Sequence, residues 1–213
     1  MSVVQALSAT VAWLGQSLGA SELLHVLDQS TQSISGLVSA VRAYSRVDET
    51  AEAEVDVHEG IENTLTILRH RLGDVTLARD YDRSLPPIRV LANELNQVWT
   101  NLLDNAIDAM SGQGRLGIRT SRDSRDGADH LVVEISDDGA GVSQEHLTRV
   151  WEPFFSTKGE GKGTGLGLDI VRRIVMERYQ GDVEVDSQAG DTKFRVFLPV
   201  AIPREEERAA VPS

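Results

Sequence analysis

The stretch Leu91-Ala-Asn-Glu94-Leu-Asn-Gln97-Val-Trp-Thr-Asn101-Leu-Leu-Asp104-Asn105-Ala-Ile-Asp108-Ala-Met110 runs without a glycine or a proline. A run of this kind predicts one long helix. Leu102, Leu103 and Ile107 form its buried side. Asn101 and Asn105 stand four residues apart, so they point the same way, one turn above the other, and Glu94 and Gln97 extend that stripe. Two amide oxygens one turn apart suit a hard cation such as Mg²⁺, which takes oxygen ligands and shares them with phosphates. Taken alone, such a pair is more often two polar residues on a solvated helix face.

Outward from this helix, strands are expected over residues 75–81, 116–121, 131–136, 183–187 and 193–199, where apolar residues alternate or cluster between turn signals. Pro86-Pro87 punctuates the turn after the first, and residues 122–129 read as a polar loop. Asp56-x-x-Glu59 resembles a capping box, and Ile61, Leu65, Leu68 and Leu72 continue an amphipathic helix from it. Residues 168–179 read as a further helix. The sum is an α+β fold, helices on one face of a mixed sheet. Ahead of it, residues 2–45 carry helical stripes, among them Leu23, Leu24, Leu27, Ile34, Leu37, Val38 and Val41. They suggest a helical hairpin, or half of a bundle that a second chain would complete. Residues 49–54 read as an acidic linker, and 203–213 as a disordered tail.

The composition narrows the chemistry. A net charge of −12 argues against an extended nucleic-acid or anionic-membrane surface, because surplus carboxylates repel phosphate. Cysteine is absent, which excludes disulfides, thiolate metal sites and Cys nucleophiles. No apolar run approaches the roughly 18 residues that span a bilayer, so a cytoplasmic setting is expected.

Three further segments carry polar chemistry. In Val132-Val-Glu-Ile-Ser-Asp137-Asp-Gly139-Ala-Gly141 a strand ends in a carboxylate and turns through two glycines. Such a carboxylate can accept a hydrogen bond from an exocyclic amine such as adenine N6, and the glycines let backbone pass close to a flat ring. Trp151-Glu-Pro-Phe154-Phe155-Ser-Thr-Lys158 packs three aromatics into five residues of a chain that is 5% aromatic. It predicts a packed anchor beside a mobile loop, with Phe154 and Phe155 in a small hydrophobic plug and Lys158 able to reach a phosphate. Gly159-Glu-Gly161-Lys162-Gly163-Thr164-Gly165-Leu166-Gly167-Leu168 leads into a helix, and glycine-rich backbone there offers N–H groups to an anion. It lacks the Gly-Lys-Ser/Thr ending of a P-loop.

In this order and spacing the four segments resemble the asparagine, glycine and phenylalanine boxes of the sensor histidine kinase catalytic domain. That domain lies within the wider ATPase family that includes gyrase and Hsp90-type chaperones. The resemblance covers about residues 55–200 and implies a two-layer sandwich, a mixed sheet covered by three helices. It implies ATP and Mg²⁺ as ligands: Asn105 on Mg²⁺, Asn101 beside the phosphates, Asp137 on adenine N6, and Gly139 and Gly141 along the adenine pocket. Gly163, Thr164, Gly165, Leu166 and Gly167 would shape the lid and phosphate end, with Lys158 and Lys162 at the phosphates.

In the ATP-hydrolysing relatives a Glu stands one turn before the Mg²⁺ asparagine, where it activates water. Here that position is Asn101, which favours phosphoryl transfer to a separate acceptor. No His-Glu/Asp-x-x-x-Pro acceptor box is present. His58-Glu59 lacks the proline, His25 is followed by Val26, and both read better as structural residues. The phosphoacceptor is therefore expected outside this chain, with residues 1–48 as part of a dimerisation region. The expected partners are a response regulator or phosphoacceptor domain and a second copy of the chain. The competing readings are a non-catalytic ATP-dependent dimerisation or docking module and an anti-sigma-type serine kinase.

Overall fold

A computed structural model describes residues 52–125, 127–158 and 163–201. These fall into two compact units, residues 156–158 with 163–164, and the remainder. The helices expected over residues 2–45 and the tail 203–213 lie outside the described residues.

The larger unit begins with β1 (Ala53–Val55) and α1 (Val57–Ile67), which starts where Asp56 accepts a hydrogen bond from the His58 N–H at 2.8 Å. That bond satisfies one of the free donors at the helix start. Val57, Ile61 and Leu65, spaced by four, are its buried stripe. After Leu68 the chain re-enters helix as α2 (Arg69–Leu72) and ends on Gly73, so the predicted helix over 61–72 is two pieces. β2 (Asp74–Asp80), β3 (Ile88–Val90) and α3 (Ala92–Met110) follow. Along α3, Leu95, Val98, Trp99, Leu102, Leu103, Ala106, Ile107 and Met110 are all buried. Each large side chain in that stripe is worth about 1.5–3 kcal/mol of burial.

The sheet is completed by β4 (Gln113–Arg125), β5 (Ala128–Asp137), β6 (Asp182–Gln188) and β7 (Asp191–Pro199), in the order β2-β4-β5-β7-β6. β2 runs parallel to β4 and the remaining pairs are antiparallel, so the sheet is mixed. Between β5 and β7 lie a 3₁₀ turn (Arg149–Trp151) and α4 (Gly167–Arg172). Register aligns Leu116, Ile118 and Thr120 with Asp137, Ile135 and Val133, and these last with Thr192, Phe194 and Val196. All nine side chains are buried, as strand alternation requires of a face that packs on helices. The other face is laced with charge: Arg195 bonds Glu134 at 2.7 Å, and the Arg125 guanidinium lies 3.4 Å over the Phe197 ring.

Four expectations are corrected. Residues 49–54 are not linker throughout, because Ala53–Val55 pairs antiparallel with Ile88–Val90. The polar loop expected over 122–129 is mostly strand: β4 and β5 extend to Arg125 and Ala128, bridged by the Arg122–Asp129 ion pair. The helix expected over 168–179 is α-helical only to Arg172. Arg173–Arg178 winds as a π-helix, ending where the buried Tyr179 hydroxyl accepts from the Leu91 N–H at 3.0 Å and donates to Glu94 at 2.5 Å. Finally, Phe154 is not part of a plug: it is 73% exposed with φ +66°, while Phe155 packs between His146 and Arg149.

Candidate functional site

One side of α3 carries the polar residues singled out by sequence. At its C-terminal end the loop after β5 packs directly on the helix. The Ala140 N–H donates to the Ala109 carbonyl at 3.2 Å, and a Cβ on Gly139 would lie 2.6 Å from the Ala109 carbonyl carbon. Gly141, at φ +76°, comes as close to Gln188 in the β6–β7 turn, and the Gly190 N–H donates to the Gly139 carbonyl at 2.9 Å. Only glycine fits these two approaches, so the Asp-x-Gly-x-Gly turn is held between α3 and the β6–β7 turn.

Asp137 ends the inward face of β5 and is 5% exposed. Its carboxylate accepts from the Gly139 N–H at 3.0 Å. Burial pushes its pKa up to about 6. The hydrogen bond from Gly139 works against that rise, and the charges of Asp138 and Asp191 add to it. Directly across in register stands Thr192, buried, its hydroxyl 2.8 Å from that of Ser187, which also accepts from the Val142 N–H at 2.8 Å. The sequence reading passed over both hydroxyls. No local pattern marks them, since they reach the site through strand register.

Two turns toward the N-terminus of α3, the Asn101 Nδ2 is buried and has no hydrogen-bond partner. A buried amide nitrogen without an acceptor is costly, about 1–3 kcal/mol, and is a mark of a site that receives an oxygen-bearing ligand. The start of α4 lies against it: a Cβ on Gly167 would be 3.3 Å from Asn101 Oδ1. Gly165, at φ +67°, is bound to the aromatic segment, since its carbonyl accepts from the Phe154 N–H at 2.9 Å and its Cα leaves no space for a side chain there. Asn105 sits half-buried on α3 between the two ends. Thus Asn101, Asn105, Asp137, Gly139, Gly141, Gly165, Leu166 and Gly167 all belong to the larger unit.

The other expected residues fall in the smaller unit or outside the described residues. Lys158, Gly163 and Thr164 belong to the smaller unit, in which the Lys158 N–H donates to Ser156 Oγ at 3.2 Å and Gly163 lies against Ser156. Lys162 is outside the described residues. Among the described residues no cluster of His, Asp and Glu side chains forms a metal site. No described helix is long and apolar enough to cross a membrane.

His58 is also placed by the structure. It is 3% exposed, with Nδ1 2.7 Å from Asp56 and Nε2 2.9 Å from the Thr120 hydroxyl. Both ring nitrogens are engaged, which fits the structural role read from the sequence.

Residues 91–202 match the family of histidine kinase-, DNA gyrase B- and HSP90-like ATPases. The chain is 36% identical over 194 residues to the sensory histidine kinase/phosphatase NtrB of Rhodobacter capsulatus, covering 86% of this chain and 54% of that protein. It is 34% identical over 197 residues to the sensor kinase CckA of Brucella abortus, covering 86% of this chain and 20% of that protein. The chain therefore spans about half the length of one relative and about a fifth of the other. Among solved structures, a mycobacterial sensor histidine kinase, MprB, matches with a TM-score of 0.61 at 28% identity, over 72% of this chain and all of that one. The packed Asp-x-Gly-x-Gly turn, the paired asparagines of α3 and these likenesses agree: the chain belongs to the histidine kinase-, DNA gyrase B- and HSP90-like ATPase family.

Proposed function

We propose that the chain binds Mg·ATP along α3 and transfers the γ-phosphoryl to a histidine outside this chain. The observation that carries this reading is the buried, unpartnered Asn101 Nδ2, eight residues from the Ala109 carbonyl that anchors the adenine-side loop. At 1.5 Å per residue that is about 12 Å, which separates a base-binding end from a phosphate-binding end.

In this reading Asp137 accepts from the exocyclic amine of the base, with Thr192 behind it. Gly139 and Gly141 let the loop lie flat against the ring. Asn101 donates its free amide hydrogens to phosphate oxygen, and Lys158 and Lys162 add positive charge. Asn105 holds Mg²⁺, which when bound neutralises charge on the triphosphate oxygens. Gly163, Thr164, Gly165, Leu166 and Gly167 form the lid and the entry to α4. Asn101 is an amide with no proton-accepting function at neutral pH, so the site has no base there to activate water. The phosphoryl group is kept for a protein acceptor.

The same proposal extends to the rest of the chain. Residues 1–48 would be part of a helical dimerisation region, the catalytic domain would span 55–200, and the chain would work in the cytoplasm with a response regulator as the downstream partner. The solved complex of the histidine kinase ThkA with the response regulator protein TrrA shares this fold at 18% identity and a TM-score of 0.64, and prompts that choice of partner.

The test is calorimetric titration with Mg·ATP, followed by incubation with γ-labelled Mg·ATP and a histidine-bearing dimerisation domain of a related kinase. Micromolar to millimolar binding and acid-labile, base-stable label on the added domain are expected. Binding without transfer to any such domain would favour the docking-module alternative, and label stable to acid would favour a serine kinase.

A further inference from the structure

Among the described residues the buried polar side chains are His58, Thr64, Thr120, Asp137, Ser187 and Thr192. His58 and Thr120 bond each other, and Thr64 donates to the Gly60 carbonyl. The other three stand side by side in one row of the sheet. Register sets Asp137 on β5 across from Thr192 on β7, and Thr192 across from Ser187 on β6. The row lies at the end of α3 where the loop after Asp137 packs on Ala109.

The two hydroxyls of this row bring two protons. Their oxygens lie 2.8 Å apart, so one proton serves the bond between them. Ser187 Oγ also accepts from the Val142 N–H at 2.8 Å. The second proton has no acceptor among the described residues, and its place depends on which hydroxyl donates. If Thr192 donated, Ser187 would accept twice and its own proton would be orphaned at a position only 1% exposed, which is costly. If Ser187 donates, the spare proton sits on Thr192, directly opposite Asp137. Facing Cβ atoms of neighbouring strands are about 4.5–5.5 Å apart, so a base held by Asp137 is in reach of that proton.

We propose that Ser187 is a positioning residue for base selection: by donating to Thr192 it fixes that hydroxyl as a donor, so the pocket takes a purine whose N1 is a bare acceptor and refuses one whose N1 carries hydrogen. This deepens the proposed function and rests on its assignment of Asp137 to the exocyclic amine. N1 is the ring atom next to the carbon that bears the amine. A carboxylate acceptor beside a hydroxyl donor therefore matches the edge of adenine. The edge of hypoxanthine, a 6-oxo acceptor beside N1–H, opposes both groups. Without the Ser187 hydroxyl, Thr192 turns its lone pairs toward N1–H and leaves no proton stranded behind it. Half of the discrimination is then lost.

The experiment titrates the whole chain with Mg·ATP and with Mg·ITP, whose base is hypoxanthine, and reads the ratio of the two affinities. It is run at about pH 8, above the Asp137 pKa of about 6, so that the carboxylate acts equally in every variant that keeps it. The wild type is expected to prefer Mg·ATP about a hundredfold, and Ser187→Ala should cut that preference about tenfold. Any loosening of the Val142 anchor in this variant falls on both nucleotides and cancels in the ratio. Ser187→Thr keeps the hydroxyl and should keep the wild-type ratio. Ser187→Cys, whose thiol donates weakly, should relax the ratio as alanine does and serves if the alanine variant does not fold. Thr192→Val should weaken Mg·ATP and relax the ratio as well. An unchanged ratio in folded Ser187→Ala or Ser187→Cys, with both nucleotides weakened alike, would overturn the proposal and leave Ser187 an anchor of the loop. If Asp137→Asn left Mg·ATP affinity intact, the base placement beneath this inference would fall instead, and the inference with it.

Discussion

The Nε2 of His58, at the start of α1, lies 2.9 Å from the hydroxyl oxygen of Thr120 on β4, 62 residues further along the chain. That hydroxyl also accepts from the Asp82 N–H at 2.9 Å, and Nδ1 of the same ring lies 2.7 Å from Asp56. The imidazole thus joins the cap of α1, the inner face of β4 and the β2–β3 connection. Since the ring is buried and both nitrogens are occupied, it is not available as a phosphoacceptor. His58→Ala should cost about 1–3 kcal/mol of stability, the usual result of leaving buried partners unsatisfied. It should leave Mg·ATP affinity and transfer to an added acceptor domain unchanged. Chemical denaturation and label transfer check this, and loss of transfer in a folded His58→Ala protein would reopen a catalytic role.

Asp137 makes a pH-dependent prediction whose two halves have opposite signs. Its pKa is raised by burial to about 6, so the ionised form is disfavoured in the folded protein. A raised folded pKa means that this group's stabilising contribution is fully present below the ordinary carboxylate range and is lost as pH rises through about 6. The nucleotide-free protein should therefore gain from this residue as pH falls from 7 toward 5. Adenine recognition needs the ionised carboxylate, so nucleotide affinity should fall over the same interval. Asp137→Asn should weaken Mg·ATP about ten- to a hundredfold, the worth of a hydrogen bond to a charged group, and remove the pH dependence of binding between 5 and 7. A binding profile that stays flat in the wild type would sink the assignment of Asp137 to the base.

How far the sequence disclosed this arrangement differs by element. The long helix was legible because Leu95, Leu102 and Leu103 recur on a stripe over many turns, and the Asp-x-Gly-x-Gly turn because two backbone approaches admit no side chain. β1 and β3 were not, since three residues are too few to show alternation and their pairing is between segments more than 30 residues apart. The π-helical turn at Arg173–Arg178 left no cue, because apolar spacing over six residues does not separate it from an α-helix. Thr192 and Ser187 join the site through strand register, which depends on pairing across the sheet and not on local pattern.

The close approach at Gly139 gives a sharper test of the loop than any charge substitution. A methyl group there would be forced to within 2.6 Å of the Ala109 carbonyl carbon and 2.8 Å of Asp137 Oδ1. Either the loop lifts off α3 or the helix end moves. Gly139→Ala should destabilise the protein by about 1–3 kcal/mol, in the range of overpacking, and also weaken nucleotide binding. Gly163→Ala should be far milder, since its nearest contacts are at 3.3 and 3.4 Å and belong to side chains that can give way. Paired melting and binding curves for the two variants provide the check. Equal effects would mean that the packing of the loop on α3 does not set the pocket.

Asn105 and Asp137 should fail in complementary ways. Mg²⁺ keeps several waters and takes few ligands from protein, so deleting one amide oxygen should reduce metal-dependent binding without touching recognition of the base. Asn105→Ala is therefore expected to lower Mg·ATP affinity toward the value the wild type shows in chelator, with metal-free nucleotide affinity unaltered. Asp137→Asn should lower both together, keeping the ratio between them. Titrations of the two variants with and without Mg²⁺ give four affinities, and the ratio decides the roles. A lost Mg²⁺ effect in Asn105→Ala assigns the cation to α3. If Asn105→Ala instead weakens the metal-free nucleotide as much as the Mg²⁺ complex, the amide contacts nucleotide directly and the cation must be held by other groups.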